Sequence, residues 1–117
     1  MEIQDIQGET YKVTCEAATG TVNFQGWLRL EGMAEYEPIV DLLNKVTANA
    51  TPKITLNLKE LQFLNSSGIN MLSKFVIDVS KKKTIQLVVK GSDTIPWQSR
   101  SLKNLQRLMP DLKLEFE

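Results

Sequence analysis

The sequence predicts an α/β fold: a mixed, mostly parallel sheet of about five strands with helices packed mainly on one face. Three observations predict it. Stretches of period-two apolar alternation take turns with stretches of three-and-four periodicity, in the order strand, strand, helix, strand, helix, strand, helix, strand. The 117 residues suit a single domain, 1–117, and are too few for two. Hydrophobic residues at 42% and charged residues at 24% give the balance of a soluble globular protein. A chain of this size hides about two-thirds of its unfolded surface, enough for a real core.

Residues 10–17 alternate around Tyr11, Val13 and Cys15 and predict a half-buried strand, with Cys15 as a buried thiol. Ala18-Thr19-Gly20 reads as a turn, and Thr21-Val22-Asn23-Phe24 resumes the alternation to complete a hairpin. Gly26 interrupts this strand and marks a bulge or bend, after which Trp27, Leu28 and Leu30 extend the apolar character. From Met33 to about Thr47, Tyr36, Ile39, Val40, Leu43 and Val46 form one helix face. Pro38 falls near its first turn or delays its start. Glu31, Glu35, Glu37 and Asp41 read either as dipole-complementing charge or as a partner surface.

After the connector Asn49-Ala50-Thr51-Pro52, the residues Ile54, Leu56 and Leu58 alternate as a strand, with Leu61, Phe63 and Leu64 beyond. A helix then presents Ile69, Leu72, Phe75 or Val76, and Val79 inward and closes at Lys81-Lys82-Lys83. That lysine run reads as a solvated helix end, with anion binding as the alternative. Thr84 to Lys90 is a near-continuous apolar strand, and Gly91 to Trp97 a loop. A third helix starts at Pro96 or Trp97, directs Leu102, Leu105, Leu108 and Met109 inward and ends at Pro110. Leu112, Leu114 and Phe116 alternate as the last strand. In such sheets functional loops gather at the C-terminal ends of strands, which makes the turn at Ser66 and the Gly91–Trp97 loop neighbours.

Most chemistry is excluded. Lysine plus arginine and aspartate plus glutamate each count 14, so no strong field draws in nucleic acid or an anionic membrane. The chain has no histidine, the commonest general base and metal ligand, and its one cysteine makes neither a zinc site nor an internal disulfide. No glycine-rich nucleotide loop is present. No apolar run approaches the ~18 residues of a membrane helix. The start of the chain has no signal-peptide pattern, so a cytoplasmic location is expected. A non-enzyme without a cofactor is the expectation.

What remains is Asn65-Ser66-Ser67-Gly68, where an apolar strand turns into a helix. One reading is an N-cap, with Asn65 or a serine accepting from free amides and Gly68 allowing close packing. The other is a seat for a phosphoryl group, because a helix N-terminus favours negative charge. Phosphorylation there would add roughly −1.5 to −2 charges and repel a docked partner without unfolding the domain.

Residues Leu56 to Ile69, with Asn65-Ser66-Ser67-Gly68 at their centre, resemble the signature of STAS domains, specifically bacterial anti-sigma factor antagonists. The family pattern is an apolar strand, a short linker and Asp-Ser-Ser-Gly or Asp-Ser-Thr-Gly opening a helix. The element order from Thr10 to Phe116 also matches its fold. The resemblance implies a regulator whose first serine, here Ser66, is phosphorylated by an anti-sigma factor-type serine kinase and restored by a PP2C-type phosphatase. Ser67 and Gly68 would shape the helix start. Asn65 stands where the family has aspartate. The segments Trp27 to Gly32 and Ile95 to Leu102 fit no general pattern, which resembles a divergent subgroup of cyanobacterial type. A constitutive scaffold, with Trp97 as contact anchor or core aromatic, and a small-molecule module are the alternatives.

Overall fold

The computed structural model describes residues 5–16, 18–49 and 52–117; Ala17, Ala50 and Thr51 of the predicted elements lie outside them. Six strands form one sheet in the order β1 (Ile6–Gln7), β2 (Tyr11–Glu16), β3 (Thr21–Leu28), β4 (Lys53–Leu64), β5 (Gln86–Gly91) and β6 (Lys113–Phe116). The helices α1 (Gly32–Ala48), α2 (Ser66–Lys82) and α3 (Pro96–Leu108) connect β3 to β6. The first two strand pairs are antiparallel and the last three parallel. The predicted mixed, mostly parallel sheet is the one observed. Its extra strand, β1, is two residues long, too short to leave a periodic signal.

Because β3, β4, β5 and β6 advance in chain order, right-handed crossovers carry all three helices to the same face. Val13, Phe24, Leu28, Leu56, Leu58 and Val89 point to that face and join Tyr36, Ile39, Leu43, Leu72, Val76 and Leu105 in one buried cluster. Full burial of each such side chain contributes about 2 kcal/mol. The opposite face carries polar pairs: Asn57 Nδ2 donates to Asn23 Oδ1 at 2.9 Å, and Gln25 Nε2 donates to Glu60 Oε2 at 2.9 Å.

Gly26 adopts φ 89°, and a Cβ there would lie 2.2 Å from the Thr10 carbonyl oxygen, so only glycine fits. The register between β3 and β4 slips twice beside it, between Asn23 and Gln25 and between Gly26 and Trp27, each time with an extra residue on β4. The inward residues of β4 are therefore Ile54, Leu56, Leu58, Leu61 and Leu64, and strict alternation is lost after Leu58.

Several expectations shift locally. Pro38 sits within the body of α1, not in its first turn, and lies on the exposed side of the helix. Leu42 joins the buried face of α1, while Val40 is half-buried. Leu108 is exposed instead of facing inward. The helix ends there, and extended Met109, held out of helix by the following Pro110, turns into the core in its place. Strand β5 starts at Gln86, not Thr84, because Lys83 closes α2 in the left-handed region with φ 56°. Cys15 is half-buried, and burial, aided by the charges of Asp5 and Glu16, pushes its thiol up. It is no activated nucleophile.

Candidate functional site

Strand β4 outruns β5. Their pairing stops at Asn57, so the stretch from Leu58 to Leu64 has β3 on one side and, among the described residues, no strand on the other. Its carbonyls need donors, and the start of α3 supplies them. Fully buried Gln98 donates from Nε2 to the carbonyls of Leu58 at 2.6 Å and Leu61 at 2.9 Å. Its Oε1 accepts from the Ser92 amide at 2.7 Å, which pins the β5–α3 loop to the same place. The Trp97 indole N–H donates to the Gln62 carbonyl at 3.0 Å. The expected proximity of the Ser66 turn and the Gly91–Trp97 loop is thus observed. Trp97 is half-buried against the core, between the two roles its sequence left open.

At the tip of β4, Asn65 is the N-cap of α2, with extended backbone at φ −80° and ψ 177°. Its Oδ1 accepts from the Gly68 amide at 3.0 Å and from the Tyr36 hydroxyl at 2.6 Å. Its Nδ2 donates to the Leu30 carbonyl at 2.7 Å. The amide both accepts and donates here, whereas an ionised carboxylate has no proton for Leu30. That is the physical reason for asparagine in place of aspartate. Gly68 is buried, and a Cβ would come within 2.3 Å of Leu64 Cδ1 and 2.7 Å of the Tyr36 hydroxyl. Burial also raises the Tyr36 phenol, keeping it a neutral donor to Asn65.

The cap is supplied by Asn65 and not by either serine. Ser66 is exposed and Ser67 half-buried at the first two helical positions. Neither hydroxyl makes a hydrogen bond among the described residues. The first turn of α2 holds no acidic residue, so its positive dipole end is uncompensated. The acidic cluster of α1 does something else: Glu35 Oε1 accepts from the Glu31 amide at 3.2 Å at that helix's own start.

Sequence reasoning missed two features. Gln98 carries no local signature, being a polar residue in a polar helix start. The other is Trp27, 48% exposed on the open face of β3. It stacks on Phe63 with ring centroids 6.0 Å apart, and the Arg29 guanidinium lies 5.8 Å over its ring. Strand parity carried the signal: with Val22, Phe24 and Leu28 inward, Trp27 must point out. Among the described residues there is no cluster of three or more potential metal-ligating side chains, and no helix is long and apolar enough to cross a membrane.

No family model and no curated protein matches the chain. Solved structures do. SiaC of Pseudomonas aeruginosa superposes with a TM-score of 0.79 at 13% identity, over 100% of this chain and 98% of that one. A chain in the crystal structure of the P. aeruginosa diguanylate cyclase SiaD in complex with its activator SiaC gives 0.76 at 13% identity, covering 97% and 99%. An anti-sigma factor antagonist from Mycobacterium paratuberculosis gives 0.64 at 20% identity, covering 89% and 86%. The chain has the STAS-like fold of these proteins. The neighbours are named as regulators, an activator and an antagonist, not as enzymes.

Proposed function

We propose that this protein is a non-catalytic regulator that binds a signalling protein through the edge bearing Asn65, Ser66, Ser67, Gly68 and Trp97, and that phosphorylation of Ser66 releases that partner. The supporting observation is the division of labour at the turn. Asn65 caps the helix alone, so Ser66 presents a free, exposed hydroxyl at an uncompensated dipole end. A phosphate there meets favourable helix electrostatics while placing a hydrated dianion on the docking edge. The modifying partners in this reading are an anti-sigma factor-type serine kinase and a PP2C-type phosphatase, acting in the cytoplasm on a partner-switching pathway that regulates transcription.

Incubation with such a kinase and ATP adds one phosphate that Ser66→Ala abolishes. Labelling that persists in Ser66→Ala sinks the assignment of the acceptor.

A second reading has support of its own in exposed Trp27: a constitutive binder, as SiaC is named the activator of an enzyme. Aromatic anchors of this kind are favoured at interface centres. If Ser66→Asp retains full affinity for every partner while Trp27→Ala loses it, this reading replaces the switch.

A further inference from the structure

We propose that the outer edge of β6, together with the basic face of α3, docks an extended acidic segment of a partner protein that joins the sheet as a further strand. Among the described residues, strand β6 pairs with β5 alone and ends the sheet. The amide and carbonyl of Glu117 point toward β5 and its loop, where they meet the Gly91 carbonyl and the Asp93 amide. Direction alternates along a strand, so the backbone groups of Leu114 and Phe116 face outward. At the start of this edge Gln106 Nε2 already holds the Leu112 carbonyl at 3.1 Å.

The side chains beside those outward groups form a receptor. Leu114 and Phe116, both half-buried, floor an open trough of about 410 Å³ walled by Lys103, Gln106 and Arg107. Helix α3 carries Arg100, Lys103 and Arg107, all exposed, and no acidic residue, in a chain whose net charge is 0. Neither Lys103 nor Arg107 has an ion-pair partner among the described residues. The carboxylates of Glu115 and Glu117 are engaged elsewhere: Glu115 with Lys113 at 3.8 Å and Glu117 with Lys59 at 2.9 Å. The basic face of α3 does not stand alone. Here it borders unpaired backbone and an apolar floor, which together fit a peptide and not a lipid, because a lipid has no strand backbone to offer. Backbone pairing supplies affinity, while an apolar residue over Leu114 and Phe116 and carboxylates against Lys103 and Arg107 supply selectivity. This site is independent of Ser66.

The test uses the full chain and a fluorescein-labelled peptide of about ten residues alternating glutamate and valine, read by anisotropy. The peptide binds, its lysine-valine counterpart does not, and binding protects the Leu114 and Phe116 amides from hydrogen exchange. Lys103→Glu with Arg107→Glu weakens binding roughly tenfold or more with the melting temperature unchanged, since both residues are exposed. N-methylation of the peptide backbone abolishes binding. Equal binding of the N-methylated peptide, equal binding by the charge-reversed variant, or preference for phosphatidylglycerol vesicles over the peptide overturns the proposal.

Discussion

Asn65 and Gln98 are both amides that join β4 to a helix start, yet they serve their corners in opposite ways. Asn65 is half-buried and spends one of its bonds on its own helix, at Gly68, three residues on. Gln98 is fully buried and reaches back 37 and 40 residues, to the carbonyls of Leu61 and Leu58. The first corner leaves its neighbouring hydroxyl, Ser66, facing out. The second shuts off a strand edge that β5 is too short to cover. One amide frames a surface, the other seals a gap. The difference teaches where the fold leaves room for change: losses at Gln98 fall on folding, whereas Ser66 is exposed and carries none of the bonds that hold its corner.

The largest expected effect follows from the sealed corner. Gln98→Leu keeps the bulk but orphans two buried carbonyls and the half-buried Ser92 amide. Unmet groups of this kind cost about 1–3 kcal/mol each, so a loss of about 3 kcal/mol or more is expected. At roughly 4 °C per kcal/mol for this chain length, the melting temperature drops by about 12 °C. Thermal unfolding by circular dichroism measures it. A drop under about 3 °C would show that the β4 carbonyls have other donors and dissolve the contrast between the corners.

The same contrast explains what was legible in the sequence. Asn65 could be read because a cap acts within a few residues, and Asn-Ser-Ser-Gly records that local chemistry. Gln98 could not, because its partners lie in a distant strand and nothing in Pro96-Trp97-Gln98-Ser99 states that β4 overhangs β5. The alternation through Ile54, Leu56 and Leu58 exposed the strand, but two extra residues in β4 broke the pattern at Leu61 and Leu64. Trp27 and Phe63 were both read as apolar bulk, since only the paired register places them side by side on the open face. Periodicity reports faces within one element, and pairing between elements must be seen.

A smaller effect sharpens the role of the framed corner. Asn65→Asp keeps the acceptor for Gly68 and Tyr36 but replaces the donor to Leu30 with a second acceptor. Facing a carbonyl with a carboxylate oxygen costs about 1–2 kcal/mol, against a gain of about 0.3–1 kcal/mol from charge at the helix N-terminus. The net loss is about 1 kcal/mol, or roughly 4 °C in melting temperature. An aspartate variant as stable as the parent would mean that the amide donor to Leu30 is dispensable, and the explanation of asparagine at this position would fall.

The smallest effect on folding is expected at Ser66 itself. Its hydroxyl bonds to nothing among the described residues and Asn65 already caps the helix, so Ser66→Ala should change stability by less than about 0.5 kcal/mol. Ser66→Asp should stabilise by about 0.3–1 kcal/mol at neutral pH, because the carboxylate meets the positive end of α2. The sign follows from linkage: the helix end lowers the folded pKa of such a carboxyl. The gain is therefore present above the unfolded value and is lost as pH falls through the folded one. Melting both variants at about pH 7 and about pH 3 reads the difference. A substantial loss in Ser66→Ala would mean that the hydroxyl helps hold the turn, and the serine could then no longer be changed without disturbing the fold. If stability holds while the charge at this position alters partner binding, the two corners are separate devices, one for the fold and one for the switch.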